Sequence, residues 1–116
     1  MIHQGQVYWT DLGTPLGSEP GYTRPMVVIQ NDAINSSRIR TVIVVPLSSN
    51  TRLARAPGNA LLNEGEANLP KSSVAVVSQI ITVDKSQLMD LLGSLSARRL
   101  RQILDGLRLL TEPREA

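Results

Sequence analysis

Three short runs rich in Val and Ile bound what this chain can fold into. Pro25–Gln30 reads PMVVIQ, Arg40–Leu47 reads RTVIVVPL and Ser73–Val83 reads SVAVVSQIITV. Apolar runs of this length, rich in β-branched residues and flanked by turn formers, are strands. The first two lack polar alternation, so they are expected to be buried on both faces. The third carries Ser78 and Gln79 in its middle, which predicts a kink or bulge there. Gln6–Leu12 also reads as a strand and Gly58–Leu62 as a short one. Asp84–Ser86 reads as a turn, and Gln87–Leu92 as a further strand or a short helix. Residues 13–23, GTPLGSEPGYT, hold three Gly and two Pro and predict a long irregular loop. Ser48–Pro57, polar and basic, predicts a second loop. Met1–Gln4 and Thr111–Ala116 are expected to be loose ends.

One helix is legible, at the end of the chain. Leu100, Ile103, Leu104, Leu107 and Leu110 recur at helical spacing, with Ser96 placed to cap the N-terminus. Arg98, Arg99, Arg101 and Arg108 fall largely on the opposite face. Gly106 weakens this helix by about 1 kcal/mol relative to Ala. Short strands followed by one amphipathic helix predict a mainly β (α+β) architecture, with Tyr8 and Trp9 in its core. No break in composition divides the 116 residues, so 1–116 is read as a single domain.

Absences exclude several chemistries. The chain has no Cys, which removes disulfides, thiolate metal sites and a Cys nucleophile. His3 is the sole His, so neither a His-based triad nor a pair of His acid–base groups can form. The carboxylates are scattered, and no phosphate-binding glycine loop is present. With only Tyr8, Trp9 and Tyr22 as aromatics, a multi-base stacking sheet is not expected. No apolar stretch is long enough for a membrane span and no signal segment is legible. The chain therefore reads as a soluble, cytoplasmic protein without membrane contact.

What remains is cationic. Ten of the twelve cations are Arg, whose planar fork of donors suits phosphate better than a Lys ammonium does. Between Asp32 and Glu64 there is no acid, yet Arg38, Arg40, Arg52 and Arg55 lie there. A local basic face attracts polyanions although the net charge is only +2.

Three segments in order resemble the MazF/PemK toxins over nearly the whole chain. The first is GQVYWTDL at Gly5–Leu12, continued by GSE at Gly17–Glu19 and RPMVVIQND at Arg24–Asp32. The second is VIVVPLSS at Val42–Ser49, and the third LPKSSVAVVSQIITVDKSQL at Leu69–Leu88. The resemblance implies a small SH3-like β-barrel of the CcdB/MazF kind with a C-terminal helix, forming a homodimer. It implies a toxin of a type II toxin–antitoxin system. Its activity would be metal-independent and cofactor-free endoribonuclease cleavage of single-stranded RNA, leaving 2′,3′-cyclic phosphate and 5′-hydroxyl ends. The implied partner is a cognate acidic antitoxin whose C-terminal tail lies across the Arg-rich surface.

Residue by residue, the resemblance places the catalytic Arg at Arg24 and the catalytic hydroxyl at Ser48, where relatives usually have Thr. Ile81 stands where many relatives carry a basic residue. Arg24 can present two parallel donors to the non-bridging oxygens of a phosphate, and Ser48 one more. Pro25 biases Arg24 towards an extended backbone. An Arg is always protonated, so its role is electrostatic stabilisation and in-line positioning, not proton abstraction. Glu19, on the loop, is the candidate base. Ser18, Glu19, Asn31, Ser49, Ser78 and Gln79 are candidate RNA contacts, with Arg52 and Arg55 tracking the backbone. Two other functions stay open: a gyrase-inhibiting toxin of the CcdB kind, and a catalytically silent relative that only binds RNA or antitoxin. The polar C-terminus and the Arg-Pro pair argue against the gyrase poison.

Overall fold

In the computed structural model the described residues are 1–13 and 22–114. They form seven strands and two helices: β1 Gln6–Asp11, β2 Thr23–Val28, α1 Asp32–Asn35, β3 Thr41–Ser48, β4 Ala60–Leu62, β5 Ser73–Ala75, β6 Ile81–Asp84, β7 Leu88–Ser94 and α2 Ala97–Thr111. The antiparallel sheet runs β4-β5-β3-β2-β1-β7, with β6 also paired to β3. The mainly β architecture with a terminal helix is thus present, as a curled half-barrel.

The two uninterrupted apolar runs are buried on both faces because the sheet has two cores. Val7, Val27 and Val45, cross-strand partners in β1, β2 and β3, point into one core with Leu62, Leu69, Val77 and Ile103. Met26, Val28, Val42 and Val44 alternate onto the other face and pack with Val83. Tyr8 joins this second core, and burial raises the pKa of its hydroxyl, which donates to Gln6 Oε1 at 2.9 Å.

Ser78 and Gln79 do interrupt the third run. A 3-10 turn at Val77–Gln79 carries the chain from β5, which pairs Leu47 and Ser48, to β6, which pairs Thr41–Val44. β3 thereby exchanges neighbours halfway along. At the open side of the half-barrel a 3-10 turn at Glu66–Asn68 bridges to β7. There Asn68 Nδ2 donates to the Leu92 carbonyl at 2.7 Å.

Ser96 caps α2 as expected, its hydroxyl accepting from Arg99 N–H at 3.2 Å. Ile103 is buried and Leu104 and Leu107 pack against the first core, but Leu110 is exposed. Gly106 is not merely a weak helix residue. A Cβ there would collide with the carbonyl oxygen of Gly58, so the helix and the loop before β4 meet backbone to backbone.

Two expectations are corrected, and one element appears that the sequence did not suggest. Ile2–Gln4 is anchored, although Met1 is exposed: Ile2 packs against the second core, and Gln4 N–H donates to Asp32 Oδ1 at 2.7 Å and Gln4 Nε2 to the Ile29 carbonyl at 2.8 Å. Within Ser48–Pro57 a 3-10 helix forms over Thr51–Arg55, its first turn capped by Asn50, whose side chain accepts from Arg52 N–H. A short α1 follows β2, unread in the sequence because one turn carries no periodicity. It is fixed by buried amides: Asn35 Nδ2 donates to the Gln30 carbonyl and Gln30 Nε2 to Asn35 Oδ1.

Candidate active site

The cleft of this protein opens where two strands part. β2 and β3 are paired at Val28↔Val44, Val27↔Val45 and Met26↔Pro46, and the ladder stops there. Pro25 lies on the same β3-facing edge of β2 as Ile29, whose N–H donates to the Ile43 carbonyl at 3.1 Å, and it has no N–H with which to continue the ladder. Beyond this point β3 turns to β5 through Leu47↔Ala75 and Ser48↔Val74, and the Pro46 carbonyl accepts from Val76 N–H at 3.0 Å. β2 stays with β1 as far as Asp11↔Thr23. The divergence leaves a cleft of about 360 Å³.

Its floor and walls come from several elements. Arg24 and Pro25 of β2 and Leu47, Ser48 and Ser49 of β3 line it, together with Trp9 of β1. Tyr22, Thr23, Pro70, Lys71 and Ser73 complete the lining. Arg24 and Ser48 are half-buried. The Ser48 Oγ accepts a hydrogen bond from Asn50 N–H at 3.1 Å. One lone pair is thus engaged, and the hydroxyl proton is left to donate into the cleft. Ser73 Oγ donates to the Lys71 carbonyl at 3.0 Å and so braces the backbone that carries Lys71.

The described lining holds two cations, Arg24 and Lys71, and neither carboxylate nor imidazole. Among the described residues no carboxylate lies within ion-pair distance of Arg24, whereas Arg99, Arg101 and Arg108 of α2 pair with Glu66, Asp105 and Glu112. Such a cleft is suited to an anion: a guanidinium fork, an ammonium and an oriented hydroxyl converge on one space. Also among the described residues, no group of three or more His, Cys, Asp and Glu is arranged to hold a metal ion.

Shifted carboxylates lie elsewhere and are structural. Hydrogen bonding to Arg99 holds Glu66 below the usual range, the Ser86 backbone N–H does so for Asp84, and the Gln4 backbone N–H for Asp32. His3 sits 3.6 Å from Asp32, away from the cleft lining.

Of the residues singled out in the sequence, Arg24, Ser48 and Ser49 are brought together. Asn31 is placed elsewhere, its side chain capping α1 by accepting from Ile34 N–H at 3.1 Å. Arg52 and Arg55 are exposed on the 3-10 helix that follows the cleft rim, outside the lining. Ser78 and Gln79 occupy the turn between β5 and β6, also outside it. Ser18 and Glu19 lie outside the described residues. Trp9, expected in the core, lines the cleft instead, because its partner across β1–β2 is Pro25, just past the last β2–β3 pair. Lys71 and Tyr22 were missed. A pointer to Lys71 was its place as one of only two Lys in an Arg-rich chain, beside Pro70 in the third matched segment.

The architecture is that of solved toxin-type ribonucleases. It matches an endoribonuclease described as being in complex with its cognate antitoxin, from Mycobacterial species, with a TM-score of 0.79 at 23% identity, covering 99% of this chain and 100% of that one. It also matches MazF from Deinococcus radiodurans, with a TM-score of 0.77 at 23% identity and 94% of each chain covered. A family model described as PemK-like, MazF-like toxin of type II toxin-antitoxin system matches residues 3–111, and the chain belongs to that family. Among curated relatives, Endoribonuclease MazF6 of Mycobacterium tuberculosis is 43% identical over 108 residues, 93% of this chain and 95% of the relative. Endoribonuclease MazF of Staphylococcus saprophyticus is 36% identical over 103 residues, 89% of this chain and 85% of that one.

Proposed function

We propose that this toxin is an endoribonuclease that cuts single-stranded RNA without a metal, by attack of a ribose 2′-hydroxyl on the adjacent phosphorus. The observation that carries this is the meeting of Arg24 and Ser48 in one cleft, in a chain 43% identical to a curated endoribonuclease. The 2′-hydroxyl gives its proton to solvent water and its oxygen bonds to phosphorus as the bond to the 5′-oxygen breaks; the departing 5′-oxygen takes a proton from water, giving a 2′,3′-cyclic phosphate and a 5′-hydroxyl. Negative charge grows on the non-bridging oxygens, and Arg24 meets it with two parallel donors. Ser48 gives a third from its oriented hydroxyl. Lys71 adds a second positive charge to the same space and favours the departing oxygen. The nucleophile belongs to the substrate, so the protein's task is to place it in line and to stabilise charge.

Growth arrest through loss of RNA follows, in the cytoplasm where RNA is translated. No helix among the described residues is long and apolar enough to cross a membrane. The molecule works as a homodimer and is held silent by an acidic antitoxin segment that folds over the cationic cleft, with Arg52 and Arg55 beside it. The experiment is cleavage of a long single-stranded RNA in excess EDTA, with Arg24→Ala in parallel and both product ends mapped. Cuts at one recurring short motif with cyclic phosphate ends, absent in the variant, are expected. No cuts by folded wild-type protein, or cuts that need added metal, overturn the reading.

A further inference from the structure

Tyr22 stands at the mouth of the cleft in a conformation that its own chemistry disfavours. Its φ is 58°, in the left-handed region that an aromatic residue seldom enters. The backbone is held there by two hydrogen bonds: Leu12 N–H donates to the Tyr22 carbonyl at 2.8 Å, and Tyr22 N–H to the Gly13 carbonyl at 2.6 Å. The conformation does not serve burial, because Tyr22 is 66% exposed. A large aromatic kept in a disfavoured backbone state and presented to solvent at a site is a mark of function. Only Thr23 separates it from Arg24, and Trp9 lines the same cleft.

Resting on the ribonuclease reading, we propose that Tyr22 is the platform on which the nucleobase next to the cut phosphate stacks, with Trp9 as a second aromatic surface. Aromatic rings set among cations are how proteins hold single-stranded nucleic acid. The guanidinium takes the phosphate while the ring takes the base attached through one sugar. Stacking accepts every base, so Tyr22 fixes the register of the strand instead of choosing its sequence. The two-point hold keeps the 2′-hydroxyl in line with the bond that breaks.

The chain has a single Trp, so Trp9 fluorescence reports on the cleft directly. The cut position is first mapped with wild-type protein on all-ribose RNA. An oligonucleotide with 2′-deoxyribose at that position, which lacks the nucleophile, is then titrated against wild type, Tyr22→Phe and Tyr22→Gly. The Gly variant removes the ring while suiting the positive φ, so the backbone is kept. Tyr22→Phe should bind like wild type. Tyr22→Gly should bind about fivefold to a hundredfold more weakly, with less Trp9 quenching. Replacing the contacted nucleotide by an abasic one should make wild type and Tyr22→Gly equal. If wild type cuts RNA yet Tyr22→Gly binds the deoxy oligonucleotide as tightly as wild type, the stacking role is overturned while the ribonuclease reading stands. A loss confined to binding an acidic antitoxin peptide overturns it as well. Failure of wild type to cut any RNA is the separate failure of the ribonuclease reading.

Discussion

Arg24 and Ser48 face each other across an interrupted pairing: carried past Met26↔Pro46, the β2–β3 register sets Ser48 opposite Arg24. Neighbouring strands lie about 5 Å apart where they pair, and these two diverge at that point, so the side chains reach a shared space from separate strands. Arg24→Ala should lower kcat by about 10²–10³, as for loss of one charge-stabilising donor. Arg24→Lys should recover little of it, because an ammonium lacks the fork geometry. Ser48→Thr should retain activity and Ser48→Ala should lose it in part. Single-turnover cleavage at saturating RNA checks all four.

Lys71 is exposed and lies at the cleft wall. Lys71→Gln should weaken binding of the deoxy oligonucleotide and reduce the slope of log K against log salt by about 0.7, the value for one phosphate contact on a single strand. Titrations at several salt concentrations measure it, and an unchanged slope removes Lys71 from the phosphate.

Gly106→Ala gives two opposed effects. Helix propensity gains about 1 kcal/mol, but the added methyl meets the Gly58 carbonyl. The collision should dominate, with a net destabilisation of about 1–3 kcal/mol in urea unfolding. A neutral or stabilising result would show that the helix shifts freely over the loop.

Glu66 and Arg99 join the 3-10 turn to α2 at 2.8 Å, with Arg99 only 13% exposed in its side chain. Hydrogen bonding to Arg99 lowers the Glu66 pKa in the folded state. The unfolded chain therefore binds its proton more readily, and stability rises with pH between the two values. The contribution is complete above the ordinary carboxylate range and is lost as pH falls through the folded-state value. Melting curves between pH 3 and pH 7, values bracketing the usual Glu titration, should show a smaller acid loss for Glu66→Gln than for wild type.

Much of this was legible in the residues. Uniform apolar runs marked the doubly buried β2 and β3, and the polar pair Ser78-Gln79 marked the step between β5 and β6. Ser96 marked the helix start. The cleft was legible only in part, since Arg24 and Ser48 lie in different segments and their meeting depends on register. Trp9 read as core because an aromatic in a strand gives no sign of which end of a ladder it reaches. Asn31 read as an RNA contact, though an Asn before a single helical turn is equally a cap. The anchoring of Gln4 depends on Asp32, 28 residues away, and no local pattern encodes such a pair.

The proline in β2 carries a consequence for how such a protein changes over time. Because Pro25 denies the ladder a donor, the gap between β2 and β3 belongs to the covalent chemistry of the sheet and not to any loop. Rim residues such as Ser49 can then be exchanged without closing the gap. A scaffold of this kind separates the capacity to cut, kept in the strands, from the choice of what is cut, left to the edges.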